Sequence, residues 1–409
     1  MELLENPVRP YVWGSRTVIA DLLGMQVPSP HPQAEMWLGA HPADPSWIRH
    51  GDGQRRSLLD AVAADPARLL GAGRASRWGV TLPFLLKVLA ADEPLSLQAH
   101  PSIEQARTGF AREEAAGVPR DAAHRNYRDA NHKPELICAL TEFHALVGFR
   151  DPAATLALLN ALDVPELAAY TGLLAAQPDA DGLRALFTTW ITLPQALLDT
   201  LVPALQAGCV RLAGDAGEWH TEARTALELS ERYPGDAGVL AALMLNRVTL
   251  APGEALYLPA GNLHSYLQGA GIELMANSDN VLRGGLTPKH VDVPELMRVL
   301  DFCSGPPPVL TGIRDGAWVR YDTPAQEFLL RRLGPPADNT PADLLGVAVP
   351  DGGPRILLCT DGAACVRAGR SDIELKRGSS AWLSAEDRAV RVLSRAAGTQ
   401  LFLASDGLD

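Results

Sequence analysis

Cysteine is scarce in this chain, and the few cysteines are scattered. The 409 residues contain five cysteines, and no two of them form a Cys-x-x-Cys pair. This pattern argues against a disulfide framework and against a zinc site built from thiolates. A metal ion bound here would therefore have nitrogen and oxygen ligands.

Long apolar runs are also missing. No stretch of eighteen apolar residues occurs, and the opening segment MELLENPVRPYVWG lacks a basic start followed by an apolar run. Neither a membrane span nor an export signal is predicted, and we expect a cytoplasmic protein.

Positive charge is in deficit. The chain has 36 lysines and arginines against 48 aspartates and glutamates, which gives a formal net charge of −12. Such a charge repels nucleic acid and anionic membranes at long range, so neither is expected as a partner. An anionic ligand has to be held by a small local cluster of positive charge.

Lysine is the rarer of the two cationic residues. There are only four, Lys87, Lys133, Lys289 and Lys376. The first three lie in the segments that carry the motifs described below. A compact ammonium does not replace a planar guanidinium, so lysine at these places indicates a specific geometric or proton-handling demand. Chance placement is the alternative.

Residue composition and the spacing of apolar residues change along the chain, and with the chain length they predict two or three domains, each with its own core. Short apolar runs broken by proline, glycine and aspartate predict mainly strands with a few short helices over residues 1–150. Alanine and leucine at helical spacing predict a helical domain over 151–236. The alternation of apolar residues that is typical of strands occurs again around the predicted turns APGE and PAGN, so residues 237–305 are assigned to the first domain. Residues 306–409 are predicted to form a second β domain.

These segments favour a mainly β fold with an α-helical domain. Short strands with glycine turns describe a jelly-roll or cupin β-barrel better than a doubly wound sheet, and the last segment predicts a second β-sandwich or barrel. No GxGxxG or GxxxxGK[ST] phosphate loop occurs. A nucleotide cofactor is therefore not supported.

Four residues have the spacing of a metal site. Gln98 and His100 are two residues apart, so on a strand both side chains project from one face. Glu135 stands in the same relation to Lys133, and His264 follows a tight turn and opens a strand. Together Gln98, His100, Glu135 and His264 form a nitrogen and oxygen set that suits zinc. The alternatives are two hydrogen-bonded core histidines, and a Glu135 that serves only as an ion-pair partner of Lys133.

A polar stretch, ELMANSDNVLRGGLTPKH, concentrates four further candidates, Glu273, Asp279, Arg283 and Lys289. Because it is rich in turn formers, we interpret it as a loop that lines a sugar site beside the barrel. Arg283 offers a bidentate fork for phosphate, and Lys289 offers a point charge. A solvated surface loop is the alternative.

Several blocks of this sequence resemble one known family. YVWGS, LPFLLKVL, SLQAHP, NYRDANHKPE and the segment that ends in GLTPK occur here in the order and at the spacing found in the type I phosphomannose isomerases. The resemblance covers residues 1 to about 300 well. It is weaker in the middle of the helical region and in the C-terminal part.

The resemblance implies a zinc-dependent aldose-ketose isomerase that interconverts mannose 6-phosphate and fructose 6-phosphate. It also implies a cupin domain interrupted by a helical domain and followed by a second cupin-like domain. Zinc, one ion per chain, would be bound by the same four residues that spacing selects. Arg283 falls on the family's catalytic arginine. The other positions that line the family's pocket, or are proposed there to bind substrate or move protons, are Ser96, Lys133, Glu273, Lys289, Lys87, His132 and Asp279.

The chemistry requires a base, because a proton must move between C2 and C1 of the sugar. Our candidates for the base are Glu273 and Asp279, with Lys133 or His132 shuttling the proton between oxygens. Ser96, Lys289 and Lys87 are candidate substrate-binding residues. Arg283 would stabilise the enediolate or hold the phosphate.

Two rival functions fit the same barrel. A sugar-phosphate sensor or storage cupin would dispense with the acid-base set, and a mononuclear iron oxygenase would use two histidines and a carboxylate. Gln98 as an additional neutral ligand, together with the cations, favours zinc and isomerisation. The sequence leaves open whether the protein is a monomer or a homodimer.

Overall fold

The computed structural model describes residues 1–49, 54–214, 217–334 and 346–408. The strands are β1 (Glu2–Glu5), β2 (Val8–Arg9), β3 (Glu35–Gly39), β4 (Trp47–Arg49), β5 (Arg55–Ser57), β6 (Phe84–Ala91), β7 (Leu97–Ala99), β8 (Glu135–Ala139), β9 (Phe143–Phe149), β10 (Leu245–Leu250), β11 (Ala255–Leu258), β12 (His264–Ala276), β13 (Leu282–Gly285), β14 (Val309–Leu310), β15 (Ile313–Asp315), β16 (Trp318–Tyr321), β17 (Leu329–Leu333), β18 (Val347–Ala348), β19 (Arg355–Asp361), β20 (Ala363–Ala368), β21 (Ser371–Lys376), β22 (Ser380–Leu383), β23 (Arg391–Ser394) and β24 (Gln400–Ser405).

The helices are α1 (Val18–Leu22), α2 (Leu58–Ala64), α3 (Pro66–Leu70), α4 (Ala72–Trp78), α5 (Ile103–Ala115), α6 (Pro152–Ala161), α7 (Ala168–Ala176), α8 (Ala180–Ile191), α9 (Gln195–Gly214), α10 (His220–Arg232), α11 (Gly238–Ala242) and α12 (Val293–Val299), with a 3-10 turn at Pro165–Leu167. Strands dominate both ends of the chain, and consecutive helices fill the middle. The predicted fold class, mainly β cupin-type sheets with a helical insertion, is confirmed.

The long strand β12 organises the sheet that carries the candidate site. It pairs antiparallel with β6 and β8 through its second half, and with β7 and β9 near its start. The sheet runs in the order β14-β11-β8-β12-β6-β3-β2, with β9, β10, β7 and β13 attached beside β12. One strand therefore connects almost every segment that carries a sequence motif.

Strand β6 explains why LPFLLKVLAA reads as one continuous apolar run. All of its residues are buried. Phe84, Leu86 and Val88 point into a core that also contains Trp382 and Phe402 of the C-terminal strands. The alternate residues, which include Lys87, point to the opposite face, where the site lies. A strand that is covered on both faces loses the alternation of polar and apolar residues.

The helical segment packs as a layer against this sheet. Helix α6 begins at Asp151, whose carboxylate accepts hydrogen bonds from the backbone N–H groups of Ala153 and Ala154. Such a cap satisfies donors that the first turn leaves unpaired. The apolar sides of α6 to α11 share one core with the base of the sheet, through residues such as Phe187 and Trp190.

Helix α9 is long and apolar enough to cross a membrane by length and composition alone. It places Leu198, Leu201, Leu205 and Cys209 in the core of the helical layer. These side chains give α9 the character of a core helix. The cytoplasmic location stays a prediction.

Most C-terminal strands belong to a nine-stranded sheet, which also contains β1, β4 and β5 of the N-terminal segment, or to a four-stranded sheet, and the two sheets share a separate apolar core. Strand β1 joins the first of these sheets by pairing with β22, although more than 370 residues separate the two strands. The domain boundaries near residues 150, 236 and 305 stay predictions.

The N-terminal segment contains more helix than the sequence texture predicts. Helix α5 has 13 residues and begins with a capping box, in which Ser102 and Gln105 exchange hydrogen bonds with each other's backbone. The Ser-x-x-Gln pattern is a signal for such a helix start and was available in the sequence. The expectation of only short helices over residues 1–150 was therefore wrong at this place.

Candidate active site

Strand pairing brings three predicted site residues into one row. On β7, Gln98 lies opposite His264 of β12 on one side and opposite Arg283 of β13 on the other. Because paired residues on neighbouring strands lie only about 5 Å apart, these three side chains share one small region. The structure thus joins motifs that are separated by almost two hundred residues.

Two histidines and a glutamate converge beside this row. His100 Nε2 lies 3.2 Å from Glu135 Oε1, and His264 Nε2 lies 3.4 Å from Glu135 Oε2. The two imidazole rings are 5.3 Å apart between centroids, and one potential ligand atom from each residue lies within 4.8 Å of the others. All three side chains are buried.

The tautomers of the histidines follow from their other ring nitrogens. His100 Nδ1 faces the main-chain oxygen of Asn280 at 2.8 Å, and His264 Nδ1 faces that of Asn262 at 3.0 Å. A carbonyl oxygen only accepts, so each Nδ1 carries a hydrogen, and in the neutral ring each Nε2 then presents a lone pair. Burial lowers the pKa of His100 to about 4, which keeps its ring neutral.

Three acceptors therefore face one another at this point. The two Nε2 atoms and Glu135 Oε2 are buried and find no hydrogen-bond partner within the described part of the chain. Buried polar atoms without partners are costly, and their convergence calls for a cation between them. Two imidazole nitrogens and a carboxylate, with a backbone acceptor orienting each ring, form a donor set that suits a zinc ion.

Lys133 provides the positive charge nearest to this cluster. Its Nζ lies 3.0 Å from Glu135 Oε1. Burial alone would raise the pKa of Glu135, but this pKa is held well below its usual range, with the positive charge of Lys133 as the largest opposing cause. Glu135 is therefore ionised. The ion pair with Lys133 exists and uses Oε1, the oxygen that also lies nearest to His100, while Oε2 faces His264.

A cavity of about 530 Å³ opens beside the histidine and glutamate cluster. Its wall includes eight residues that the sequence analysis selected, namely Lys87, Ser96, Gln98, Lys133, Glu135, Glu273, Arg283 and Lys289. Tyr11 and Trp13 of the YVWGS block also line it. The volume suits a small metabolite of the size of a sugar phosphate.

Glu273 and Lys87 form a buried pair in the cavity wall. Lys87 Nζ lies 3.0 Å from Glu273 Oε2 and 3.4 Å from Glu35 Oε1. Burial would lower the pKa of Lys87, but Glu273 and Glu35 outweigh it and raise that pKa. Burial raises the pKa of Glu273 above its ordinary value despite Lys87. A buried carboxylate tuned in this way is typical of a general base.

The loop expected over residues 273–290 is only partly a loop. Glu273 lies within β12 and Arg283 lies on β13, so strands hold both residues rigidly. Sequence reasoning assigned the whole stretch to a loop because turn-forming residues dominate its composition. The interpretation was wrong for these two residues, whose positions are set by pairing with β6, β8 and β7.

Two cations at the cavity wall have no carboxylate partner among the described residues. Arg283 and Lys289 form no ion pair in that part of the chain, and both line the cavity. Burial and the nearby charge of Arg128 lower the pKa of Arg283, and burial, Arg283 and Arg128 lower the pKa of Lys289. Like charges that repel one another in this way indicate a place for an anion.

His132 and Asp279 are not brought into this cavity. His132 Nε2 lies 2.7 Å from Glu327 Oε1, which belongs to the segment before β17. Asp279 Oδ1 lies 3.4 Å from His41 Nε2, and the Asp279 side chain is 45% exposed. Neither residue is part of the cavity wall.

Sequence reasoning missed Glu35, Tyr233 and Tyr266, which also line the cavity. Tyr266 follows His264 by two residues on β12, so strand alternation alone places it on the same face. Its pKa is raised well above the ordinary value by burial and by Glu273. Tyr233 follows α10 and reaches the cavity from the helical layer, and no local signal predicts that contact.

Comparisons with known proteins agree with this geometry. The family model for the phosphomannose isomerase type I catalytic domain matches residues 1–152. Mannose-6-phosphate isomerase of Escherichia coli (strain K12) is 39% identical over 396 residues, which cover 96% of this chain and 97% of that protein.

Solved structures agree over the whole length. A crystal structure of a lysine-to-alanine mutant of phosphomannose isomerase from Salmonella typhimurium matches with a TM-score of 0.91 and 36% identity, covering 100% of both chains. A mannose 6-phosphate isomerase bound with zinc and yttrium matches with a TM-score of 0.89 and 36% identity, also over 100% of both chains. This chain belongs to the type I phosphomannose isomerases, the family of mannose-6-phosphate isomerases, and is an enzyme of that family.

Proposed function

We propose that the protein interconverts D-mannose 6-phosphate and D-fructose 6-phosphate through a cis-enediol, with one zinc ion bound per chain. The observation that carries the proposal is the convergence of three acceptors, His100 Nε2, His264 Nε2 and Glu135 Oε2, beside a cavity lined by cations; neither the acceptors nor the cations Arg283 and Lys289 have a partner among the residues that the structure describes. The relatives named above act on the same sugar phosphate.

Gln98, His100, Glu135 and His264 would hold the zinc ion. Gln98 lines the cavity and lies opposite His264 in the strand pairing, so its amide oxygen is the natural fourth protein ligand. When bound, zinc supplies a Lewis acid that polarises the substrate carbonyl and favours charge on adjacent oxygens. Lys133 keeps Glu135 ionised and so maintains the ligand set.

Glu273 is the proposed general base. Glu273 lines the cavity and is buried. Its pKa is raised above the ordinary value of a glutamate, which brings the pKa nearer to neutral pH. Glu273 would take the proton from C2 of the aldose and return it to C1 on the same face of the enediol. Asp279 is less suited, because its carboxylate points to His41 outside the cavity wall.

Lys133 is the proposed proton shuttle between the two sugar oxygens. Its ammonium group lines the cavity beside Glu135, whereas His132 is occupied by Glu327. Lys87 holds Glu273 in place through their 3.0 Å ion pair. Ser96, at the cavity wall, would donate a hydrogen bond to the substrate.

Arg283 and Lys289 would each bind a different negatively charged part of the substrate. Arg283 lies beside Gln98, close to the metal ligands, and would stabilise the developing enediolate. Lys289 is more exposed and would hold the phosphate as a point charge.

The test is a coupled assay of fructose 6-phosphate formation from mannose 6-phosphate, with metal content measured on the same sample. Activity that is lost when about one zinc per chain is removed, and that returns with zinc, would support the proposal. A zinc-loaded protein without activity that still binds the sugar phosphate would refute it in favour of a sensor. Substrate-dependent oxygen consumption by an iron-loaded sample would favour an oxygenase.

Arg283→Ala sharpens this test. Loss of one donor aimed at developing charge costs about 10²–10³-fold in turnover in comparable sites, and zinc content should stay unchanged. Arg367→Ala is the matched control, since Arg367 lies on β20 and pairs with the exposed Asp372. Near-normal turnover of the Arg283 variant would remove this residue from the mechanism.

A further inference from the structure

Trp37, on β3, lies directly behind the buried charges of the cavity wall. Its indole Nε1 donates a hydrogen bond of 2.7 Å to Glu35 Oε2, and its ring centroid lies 5.3 Å from Lys87 Nζ. The side chain is only 7% exposed and does not line the cavity. Trp37 therefore contacts two charged groups of the site without reaching the substrate.

Strand pairing explains why Trp37 has this position. Trp37 lies opposite Lys87 in the pairing of β3 with β6, and Lys87 lies opposite Glu273 in the pairing of β6 with β12. The three residues form one row across three strands, so their side chains share a face. A change at Trp37 is one strand away from Lys87 and two strands away from Glu273.

The single positive charge of Lys87 is shared between two ion pairs with carboxylates. It lies 3.4 Å from Glu35 and 3.0 Å from Glu273, and all three side chains are buried. The Trp37 N–H satisfies the Glu35 oxygen that Lys87 does not reach. Without this donor, the buried Glu35 would be short of a partner, and its strongest remaining attraction would be to Lys87.

We propose that Trp37 is a positioning residue for the reaction: by holding Glu35 through its indole N–H and Lys87 through its ring, it keeps Lys87 on Glu273. The inference rests on the proposed function, in which Glu273 is the base. Cation–π attraction to a buried tryptophan ring adds to the ion pair in fixing the ammonium. The role is indirect, since Trp37 acts only through Glu35 and Lys87.

The groups that face Glu273 decide what the loss of Trp37 would do. They are Lys87, Glu135, Glu35, Lys133 and Tyr266. Of the two cations, only Lys87 contacts Glu273 as an ion pair among the described residues. If Lys87 moves toward Glu35, the ionised form of Glu273 loses its main support and the base becomes protonated at a higher pH.

The test is Trp37→Phe, which keeps an aromatic ring over Lys87 and removes the N–H donor. We expect kcat to fall about tenfold, a fraction of the roughly 10²–10⁴-fold that a positioned base contributes. The acid side of the kcat profile should move up by about one pH unit. KM for mannose 6-phosphate and zinc content should stay unchanged, because Trp37 touches neither the cavity nor the metal ligands.

Two further variants distinguish positioning from general damage. Trp47→Phe removes the indole N–H of a tryptophan on β4 that is 39% exposed, and it should leave the kcat profile unchanged. In a Glu35→Gln background the carboxylate that Trp37 holds is absent, so adding Trp37→Phe should cost little more. This non-additivity is not expected from a purely structural tryptophan.

The outcomes separate this inference from the proposed function. If the wild type is active, three results would overturn the role of Trp37 alone. They are a Trp37→Phe variant that keeps the acid limb of its kcat profile, a variant that loses activity only through KM or zinc content, and additivity of Trp37→Phe with Glu35→Gln. A zinc-loaded wild type without isomerase activity overturns the proposed function, and the role of Trp37 with it. A tenfold kcat effect, a shifted limb and non-additivity together establish the role.

Discussion

Asn280 connects the segment that leads to Lys133 and Glu135 with its own segment, which carries Arg283 and Lys289. Its side-chain oxygen accepts hydrogen bonds from the backbone N–H groups of Arg128 and Asp129, and its Nδ2 donates to the backbone oxygens of Asp129 and Asn131. Its own main-chain oxygen accepts the hydrogen bond from His100 Nδ1. The side chain is fully buried. We therefore expect Asn280→Asp to loosen a metal ligand that it does not touch with its own side chain.

The expected size of the effect follows from these contacts. Aspartate has almost the same shape and keeps the two accepted hydrogen bonds. It loses the bonds that Nδ2 donates, at 2.8 Å to two carbonyl oxygens and at 3.3 Å to Asp129 Oδ1, and it places a carboxylate oxygen against these acceptors. Each buried acceptor left without a partner costs about 1–3 kcal/mol. Loss of a group that orients a metal-bound histidine typically lowers metal affinity about 10–100-fold.

Zinc affinity is the quantity to measure, by competition with a chromophoric chelator of known affinity. Asn6→Asp is the matched control, because Asn6 Nδ2 donates to Ser380 Oγ where β22 meets the N-terminal segment. It adds the same charge and removes a donated hydrogen bond, and zinc affinity should be unchanged. Wild-type zinc affinity in folded Asn280→Asp would refute the argument that the Asn280 carbonyl orients His100.

Three further predictions use other parts of the structure. Burial raises the pKa of Glu273, so the ionised base is lost as the pH falls through a value above the ordinary 4.5 of a glutamate. We therefore expect kcat to decline on the acid side at a higher pH than a free carboxyl group would give. Glu273→Gln should abolish this acid limb of the kcat profile together with most of the turnover. Asp279→Asn should change kcat by no more than about threefold, since the carboxylate faces His41 outside the cavity wall; a loss comparable to that of Arg283→Ala would restore Asp279 as a base. Gly109→Ala should destabilise the protein by about 1–3 kcal/mol, measured by thermal unfolding, because the new Cβ would lie 2.3 Å from the buried ring of Tyr127; unchanged stability would mean that the ring moves freely.

The cluster of candidate metal ligands was predictable because its signals are local. Gln98 and His100 share a strand face by their spacing, Glu135 is the first residue of β8, and His264 is the first residue of β12. Residues at strand ends reach the mouth of a β-barrel, so chemistry and position coincide in the sequence. The assignment of roles to these four residues stays a proposal.

Asp279, His132 and Glu35 could not be placed from sequence, because long-range packing decides where they point. Asp279 lies in a turn-rich segment that faces the cavity on one side and His41 on the other. His132 directly precedes Lys133, and the extended chain sends the two side chains in different directions. Glu35 reaches the site only because β3 pairs with β6, which is a contact between residues about fifty positions apart.

The fold shows the same division between local and distant information. The helical segment was predictable from its periodic leucines and alanines, which pack into one core. The pairing of β1 with β22 was not, because nothing in the sequence ELLE indicates which of many short strands it joins. Strand pairing at such a separation depends on tertiary packing more than on any local preference.

The scarcity of lysine acquires a physical reason in this structure. Lys87 lies between two buried carboxylates, Lys133 lies on the carboxylate that faces the histidines, and Lys289 stands at the rim without a carboxylate partner among the described residues. A compact ammonium with three donors fits between two carboxylates in a strand row, where a planar guanidinium would need more width and would present fixed pairs of donors. Arginine takes other places in this chain, including Arg283 in the same cavity wall and the buried Arg355, whose guanidinium donates to several backbone oxygens. The exposed Lys376, on β21, is the exception. Lysine is thus retained where geometry and proton handling matter, which is where the proposed isomerisation needs its cations.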